Sequence, residues 1–480
     1  MTRPGARRAC LPLLMLLTAC GSSPERRLQD VGVTLPPRWT GVAARSAAVS
    51  TEHPPVGKQL ESTATSAALS VPEHWLDGFA DPSLSALVRE ALHANLDLKA
   101  AAARVEAARE QVAIDGAGRW PQLSFAPGYE RTQVRNTGFG STEFGAFQAL
   151  FNLDWELDVW GRILASRQAT GSEAAAVAAD YSAARLSLAA RTAQSYFELA
   201  EARLQAEVAE QSTHERTILV ELVRGRFARG LTRGLDLRLA LTDLANAEAQ
   251  QAQAHNRVQA AARRLEVLLG RYPQAEPGGS MRLPEPPDAI SAGLPSQLLE
   301  RRPDLSAAFE RLRASDSRVE SAKKALLPRI TLTATGGTRS AALTELADPR
   351  AAAWNVAMGL LQPVFTGGRL KAEIRLNEAR AEEAYNLYKN TALNAFREVE
   401  QTLAAEEWLR EQEQALREAV EQTEQSRKLA VYSYRHGFIE ILTLLDSYRS
   451  TLNARSAHLA AKRQLLSNRI DLYLALGGGA

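Results

Sequence analysis

Residues 151–162, FNLDWELDVWGR, carry the carboxylates that come closest to an arrangement for chemistry. Asp154, Glu156 and Asp158 alternate with large apolar side chains, so a β-strand here places all three carboxylates on one face. Neighbouring carboxylates can act as a general acid and base, or bind calcium. Alternation along one strand, however, sets them in a row instead of around a pocket. The row therefore favours a wall that lines a water-filled space, where carboxylates stay hydrated and need no partner.

Other catalytic or metal-binding patterns are not indicated. The seven histidines have no HExxH or other ligand spacing, and the sequence contains no GxSxG elbow, phosphate-binding loop or dinucleotide fingerprint. The two cysteines, Cys10 and Cys20, leave the rest of the chain without a disulfide or a thiol nucleophile. A net charge of +2 argues against a nucleic-acid partner. We predict a protein that is not an enzyme and holds no metal.

The N-terminus has the layout of a secretory signal. Three arginines precede a short apolar run at residues 9–17, and Leu17-Thr18-Ala19-Cys20 resembles a bacterial lipobox. We predict a signal peptide at 1–19, a lipid on Cys20 and an extended segment at 20–71. The alternative is an ordinary signal peptide with an incidental cysteine. Gly21 follows Cys20, which in the usual sorting pattern implies the outer membrane.

Positions of Pro and Gly recur at an offset of 207 residues, which indicates a duplicated unit. Repeat 1 is predicted at 81–270 and repeat 2 at 296–477, with a Pro-rich linker at 271–295. Each repeat is predicted to contain a helix, a β-hairpin (about 121–160 and about 328–366) and a long helical hairpin (161–270 and 368–477). The residues that coincide are Asp97 with Asp304, Pro121 with Pro328, Gly161-Arg162 with Gly368-Arg369, Gly230 with Gly437, and Leu269-Gly270 with Leu476-Gly477.

The helical hairpins are predicted to be unusually long. Residues 369–436 contain neither Gly nor Pro, and at 1.5 Å per residue such a helix extends for roughly 100 Å. Apolar residues in both long runs recur at spacings of three and four, as in coiled coils. Outside the signal peptide no stretch has eighteen apolar residues, so a membrane crossing would require strands.

Four strands per chain cannot close a sheet, and an open edge is not tolerated in hydrocarbon. Three copies would supply twelve strands. The fold class expected is therefore mostly α with membrane β, completed by other chains.

The lipobox, LPSQLLERRPDL at 294–305, the junctions WELDVWGR and QPVFTGGR, and the turns RFARGL and YRHGF resemble the outer membrane factors, the TolC-type efflux channels, in their lipoprotein (NodT-like) branch. The resemblance implies a homotrimer whose twelve-stranded β-barrel continues into an α-helical periplasmic tunnel, with the linker in its equatorial region. It implies an outer membrane channel that passively conducts substrates for a tripartite efflux system. The expected partners are a periplasmic adaptor, an inner membrane transporter of the resistance-nodulation-division (RND) type and outer membrane lipid. The alternatives are a type I secretion channel and a lipid-anchored periplasmic coiled-coil scaffold.

The same resemblance assigns roles to particular residues. The two helical turns are expected to dock the adaptor, although each Gly could simply cap a helix. Glu440 could belong to a ring of carboxylates at the entrance, or be a solvated acid in the first turn of a helix. The adaptor-docking residues are Arg226, Phe227, Gly230, Leu231, Tyr434, Arg435, Gly437 and Phe438; the lumen-facing residues are Asn152, Asp154, Glu156 and Asp158; the strand-to-helix junctions are Gly161, Arg162, Gly368 and Arg369.

Overall fold

The computed structural model describes residues 26, 28, 29, 39, 75–136, 140–276, 282–287 and 295–478, with the backbone alone at 134–136, 140 and 142. The predicted signal peptide, Cys20 and nearly all of the extended segment lie outside the described residues, as does much of the linker. Among the helices of the described ranges, none combines the length and the apolar character that a membrane crossing requires.

Eight α-helices and four strands make up the regular structure of these ranges, together with three short 3₁₀-helices. The strands are β1 (Gln122–Asn136), β2 (Gly140–Leu157), β3 (Arg329–Ser340) and β4 (Ala352–Leu361). The helices are α1 (Pro82–Ala94), α2 (Leu96–Ala117), α3 (Arg162–Ala228), α4 (Gly234–Leu268), α5 (Pro295–Arg301), α6 (Pro303–Lys324), α7 (Arg369–His436) and α8 (Ile441–Ala475).

The duplication predicted from the Pro and Gly positions is confirmed by the elements. Adding 207 to both bounds of α2 gives the bounds of α6, and adding it to both bounds of α4 gives those of α8. The strand registers obey the same offset, because Gln122 lies opposite Asp154 in the β1–β2 pair and Arg329 lies opposite Leu361 in the β3–β4 pair. The two repeats therefore have the same local fold.

Each predicted first helix is divided in two, which corrects the expectation of one continuous helix. In repeat 1 the division falls at Asn95, whose Oδ1 accepts from the Leu98 N–H at 3.0 Å and whose Nδ2 donates to the Leu268 carbonyl at 3.0 Å. In repeat 2 it falls at Arg302, whose guanidinium donates to the Ala475 carbonyl at 3.1 Å. Both side chains satisfy a carbonyl at the end of a helix, which would otherwise lack a partner.

The residues form two compact units. Of the described residues, the first unit contains 26, 28, 29, 106–136, 140–176 and 308–388, and with them the sheet. Its four strands are antiparallel in the order β1-β2-β3-β4, so β1 and β4 are the edges. The described part of the second unit, residues 39, 75–105, 177–276, 282–287, 295–307 and 389–478, is mainly helical.

The helical unit is held by packed aromatic and small side chains. Trp75, Phe79, Phe197 and Tyr473 form one buried cluster with alanines of α3. Small residues allow neighbouring helices to approach closely, while the aromatic rings contribute most of the buried apolar area. The Tyr196 hydroxyl donates to the Asp81 carboxylate at 2.5 Å within this core.

Candidate functional site

The sheet has one polar and one apolar face, and the predicted lumen residues belong to the polar face. Asn152 lies between Ser124 of β1 and Thr335 of β3. Asp154 is exposed and lies between Gln122 and Thr333. Hydroxyl and amide side chains therefore continue this face on both sides of β2.

The expectation that the three carboxylates stand unpaired is wrong for two of them. Asp158 lies one residue beyond β2, and its carboxylate accepts from the N–H groups of Ile163 and Leu164 at 2.9 and 2.7 Å. It therefore satisfies free N–H groups in the first turn of α3, where the helix dipole also favours a negative charge. Glu156 forms an ion pair with Arg162 at 2.8 Å. Asp154 is the one carboxylate of the row that stays exposed without either role.

The opposite face of the sheet is apolar and open in the single chain. The tilted rings of Phe125 and Phe151 have centroids 4.9 Å apart, and those of Tyr129 and Phe147 have centroids 4.6 Å apart. Met358 in β4 is 75% exposed. Further side chains of this face that are more than half exposed are Leu123, Trp354, Val356 and Leu360. A contiguous apolar surface of this kind marks contact with lipid or with another protein.

At the two junctions the strands turn into the long helices with equivalent hydrogen bonds. Trp155 Nε1 donates to the Arg119 carbonyl at 2.9 Å, and Gln362 Nε2, 207 positions later, donates to the Leu326 carbonyl at 3.0 Å. Gly161 and Gly368 both have positive φ, at 70° and 83°. Their neighbours differ, because Arg162 reaches back to the strand whereas Arg369 pairs with Glu373 inside α7 at 2.6 Å.

The two helical turns are built alike. Gly230 has φ of 70° and Gly437 has φ of 80°, values that favour glycine because it lacks a Cβ atom. The Leu231 N–H donates to the Arg226 carbonyl at 2.9 Å, and the Phe438 N–H donates to the Ser433 carbonyl at 2.9 Å. These bonds form Schellman-type C-caps at the ends of α3 and α7, so the glycines have a structural role.

The structure brings the two turns into contact. Arg226 donates to the Arg435 carbonyl at 3.0 Å and lies over the Tyr434 ring at 5.2 Å. Tyr434 is buried, and desolvation by burial raises the pKa of its hydroxyl, which keeps the group neutral. Phe227, Leu231 and Phe438 remain exposed beside these contacts. The two turns thus form one surface over the buried Tyr434. We call it the turn surface and define it by the predicted docking residues Arg226, Phe227, Gly230, Leu231, Tyr434, Arg435, Gly437 and Phe438.

Glu440 is the N-cap residue of α8 and is exposed. Its side chain makes no capping hydrogen bond. The carboxylate therefore projects from the helix start next to the turn surface instead of satisfying the first N–H groups.

Sequence reasoning missed a set of ion pairs that connects the four long helices on the core side of the two turns. Arg216 of α3 donates to Asp243 of α4 at 2.7 Å, and their side chains are 4% and 8% exposed. Arg449 of α8 lies 3.6 Å from the same carboxylate. In the neighbouring pair, Arg427 of α7 contacts Glu215 of α3 at 2.9 Å, so four helices participate. The paired residues are far apart in sequence. The one sequence signal for their burial is that each charged residue lies among apolar positions of its helix.

No group of three or more His, Cys, Asp and Glu side chains within the described ranges is placed to hold a metal ion. The chain matches the family model described as "Outer membrane efflux protein" at residues 87–271 and 294–478, which are again 207 apart. The two matches coincide with the two structural repeats.

Individual proteins are similar over the whole length. Outer membrane protein OprJ of Pseudomonas aeruginosa is 32% identical over 489 aligned positions, covering 100% of this chain and 97% of OprJ. The pyoverdine export outer membrane protein OpmQ of Pseudomonas putida is 31% identical, covering 100% of this chain and 98% of OpmQ. The solved structure of the outer-membrane channel OprN superimposes with a TM-score of 0.84 at 26% identity, covering 95% of this chain and 99% of OprN.

Proposed function

The chain belongs to the outer membrane efflux protein family and is the outer membrane channel of an efflux system, and we propose that it works as a lipid-anchored homotrimer docked to a periplasmic adaptor. The supporting observation is the sheet: its four strands expose an apolar face, and neither edge strand has a further partner strand among the described residues. Three such sheets supply twelve strands, enough to close a barrel in which the apolar faces meet lipid.

The polar face then lines the lumen. Asn152 and Asp154 contribute to it directly, whereas Glu156 and Asp158 act at the junction with α3. The lumen charge differs between the repeats, because the equivalents of Asp154 and Glu156 are Leu361 and Pro363. Conduction is passive, and the energy comes from an inner membrane transporter of the RND type. Glu440 projects beside the turns, where three copies would bring three carboxylates towards the entrance.

The turn surface is the proposed adaptor site. Exposed apolar side chains beside polar backbone are typical of residues that anchor a partner. Leu231 is 59% exposed and Phe438 is 74% exposed. Each follows a glycine that caps the preceding helix, so the apolar side chain is not required to end that helix. Because most of each side chain lies outside the core, its exposure favours a binding role.

Replacing Leu231 and Phe438 with Asp tests this assignment. We expect adaptor crosslinking and efflux of a transported dye to be lost, because a carboxylate cannot enter an apolar contact. The level of trimer in outer membranes should not change, since both side chains lie outside the sheet and the core.

Leu96→Asp is the matched control. Leu96 is a similarly exposed leucine at the start of α2. Its neighbour Asn95 binds the last turn of α4, whereas the turn surface adjoins the first turn of α4. Leu96 and the turn surface therefore lie near opposite ends of that helix. Crosslinking and efflux should therefore persist in this variant. Unchanged adaptor crosslinking in the Leu231 and Phe438 variant would remove the docking assignment while leaving the channel itself in place.

A further inference from the structure

The turn of repeat 1, taken with its flanking residues as 224–238, is strongly basic. It contains five arginines and one acid, Asp236, in a chain with 57 basic and 55 acidic side chains. The Asp236 carboxylate accepts from the Thr232 hydroxyl and from the Arg233 N–H, so it is used within the turn. The arginines are Arg224, Arg226, Arg229, Arg233 and Arg238. The positive charge of the whole chain is therefore concentrated at this turn.

The charges of these arginines are not neutralised by the fold. Four of the five are exposed, and Arg226 is partly buried. Arg226 donates to the Arg435 carbonyl and Arg229 to the Gly225 carbonyl, each at 3.0 Å, so both bind neutral groups. Among the described residues, no carboxylate lies within 4.0 Å of any of the five guanidinium groups. Their charge is available to a partner.

The turn of repeat 2 has the same backbone without this charge. Both turns contain a glycine at positive φ and the same capping hydrogen bonds. The counterparts of the five arginines, 207 positions later, are Val431, Ser433, His436, Glu440 and Leu445. The arginines are therefore not required to form the turn.

Arg233 opposes the electrostatics of its own helix. It is the N-cap residue of α4, where the helix dipole favours a negative charge. Glu440, its counterpart, is the N-cap residue of α8 and has the favoured sign. The dipole of α3 accounts for Arg226 in its last turn, but no helix end accounts for Arg233. A charge at an unfavourable position indicates a role outside the fold.

We propose that the turn of repeat 1 binds carboxylates of the periplasmic adaptor, so that the docking end of the adaptor contains an acidic segment. Guanidinium groups bind carboxylates through paired N–H donors, which gives the contact both strength and direction. Leu231 supplies an apolar anchor in the same turn, with the arginines around it. The inference rests on the adaptor docking proposed above and adds the chemistry of the surface that docks.

A protein surface fits this site better than an anionic membrane does. In the adjoining turn of repeat 2, the rings of Tyr432 and His436 have centroids 4.2 Å apart, and those of His436 and Phe438 have centroids 5.9 Å apart. The turn surface thus presents guanidinium groups in one repeat and aromatic rings in the other. A folded partner can offer a different side chain to each turn, whereas lipid headgroups form one uniform layer.

A defined carboxylate probe tests the site in the purified full-length channel. Fluorescent poly-L-glutamate should bind at low ionic strength. The arginine variant, Arg229→Gln with Arg233→Gln, should weaken this binding roughly tenfold, because charge-assisted hydrogen bonds are lost. The control variant, Arg257→Gln with Arg263→Gln, removes the same charge from exposed positions in the second half of α4 and should weaken binding less than about twofold. Equal weakening in both variants would overturn the site.

Arg233→Glu excludes a folding defect as the cause. A carboxylate at this N-cap agrees with the dipole of α4 and copies Glu440 of repeat 2. The temperature of thermal unfolding should therefore stay the same or rise, while binding of poly-L-glutamate falls by at least about tenfold. A fall in both quantities would assign Arg233 to the fold and overturn the site.

Vesicles of phosphatidylglycerol distinguish a lipid partner from a protein partner. With the channel held in nanodiscs, the unmodified protein and the arginine variant should bind these vesicles equally. Loss of vesicle binding in the arginine variant, with unchanged binding of poly-L-glutamate, would identify a lipid site and overturn the proposal.

Adaptor crosslinking in cells separates this inference from the docking assignment itself. The arginine variant should crosslink roughly tenfold less than the unmodified protein, and the control variant should crosslink normally. Normal crosslinking in the arginine variant, with loss in the Leu231 and Phe438 variant, would overturn carboxylate binding but keep the docking site. Normal crosslinking in both would overturn the docking site.

Discussion

At the scale of single residues, neighbouring carboxylates of one sequence row take different roles. Asp154 is exposed on the polar face of the sheet, while Asp158 accepts two backbone N–H groups of α3. We expect Asp158→Ala to lower the stability of the fold by about 1 kcal/mol, as loss of a helix cap does. Asp154→Asn should leave stability unchanged but reduce the preference of the channel for cations, because one lumen charge per copy is lost.

The two effects are measured separately. Asp158→Ala should lower the temperature at which the trimer dissociates, and Asp154→Asn should shift the reversal potential in planar bilayers. A change in ion preference with Asp158→Ala but not with Asp154→Asn would reverse the assignment.

Alternation in the sequence predicted the two faces of β2 correctly but not its end. A carboxylate shortly before a helix start is a capping signal, yet Asp158 also continues the alternating pattern of Asp154 and Glu156. The strand ends at Leu157, which places Asp158 outside it and makes the carboxylate a helix cap. The sequence alone was compatible with both a strand residue and a cap at Asp158.

At the scale of elements, a buried ion pair joins α3 to α4. Arg216 and Asp243 are almost inaccessible to solvent. Asp243→Ala leaves the guanidinium of Arg216 in the core without its main partner, and loss of one member of a buried pair costs about 3–5 kcal/mol. We expect a clear fall in the urea midpoint of the purified channel.

Glu210→Ala is the control for the same two helices. Glu210 contacts His255 at 3.2 Å, and both side chains are about half exposed. An exposed pair contributes at most about 1 kcal/mol, so the urea midpoint should move little. Equal shifts for Asp243→Ala and Glu210→Ala would show that burial of the Arg216 pair is unimportant.

Glycine and proline positions predicted most element boundaries, because they end helices and strands for local reasons. The division of the first helix at Asn95 was missed, since no Gly or Pro lies there. Pro303, at the first position of α6, was an available signal in repeat 2, and the offset would have carried it to Leu96. The contacts that use these divisions, from Asn95 to Leu268 and from Arg302 to Ala475, are long-range and were not readable from the sequence.

At the scale of the whole molecule, the duplication gives one chain two strand pairs with equivalent registers. Within one chain, repeat 1 already pairs with repeat 2 through β2 and β3. The offset of 207 was readable from the sequence, whereas the pairing of β2 with β3 and its register were seen only in the structure.

If strand closure supplies the insertion into the membrane, the lipid on Cys20 is dispensable for assembly. We expect Cys20→Ala to abolish incorporation of labelled palmitate while trimers still appear in the outer membrane fraction. Closing the sheet satisfies its edge N–H and C=O groups in hydrocarbon, whereas a lipid chain contributes only membrane affinity. Cys10→Ala is the matched control, because Cys10 belongs to the predicted signal peptide and its loss should leave labelling intact. Disappearance of all trimer from the Cys20→Ala variant at normal expression would show that the lipid anchor, and not the sheet, directs assembly.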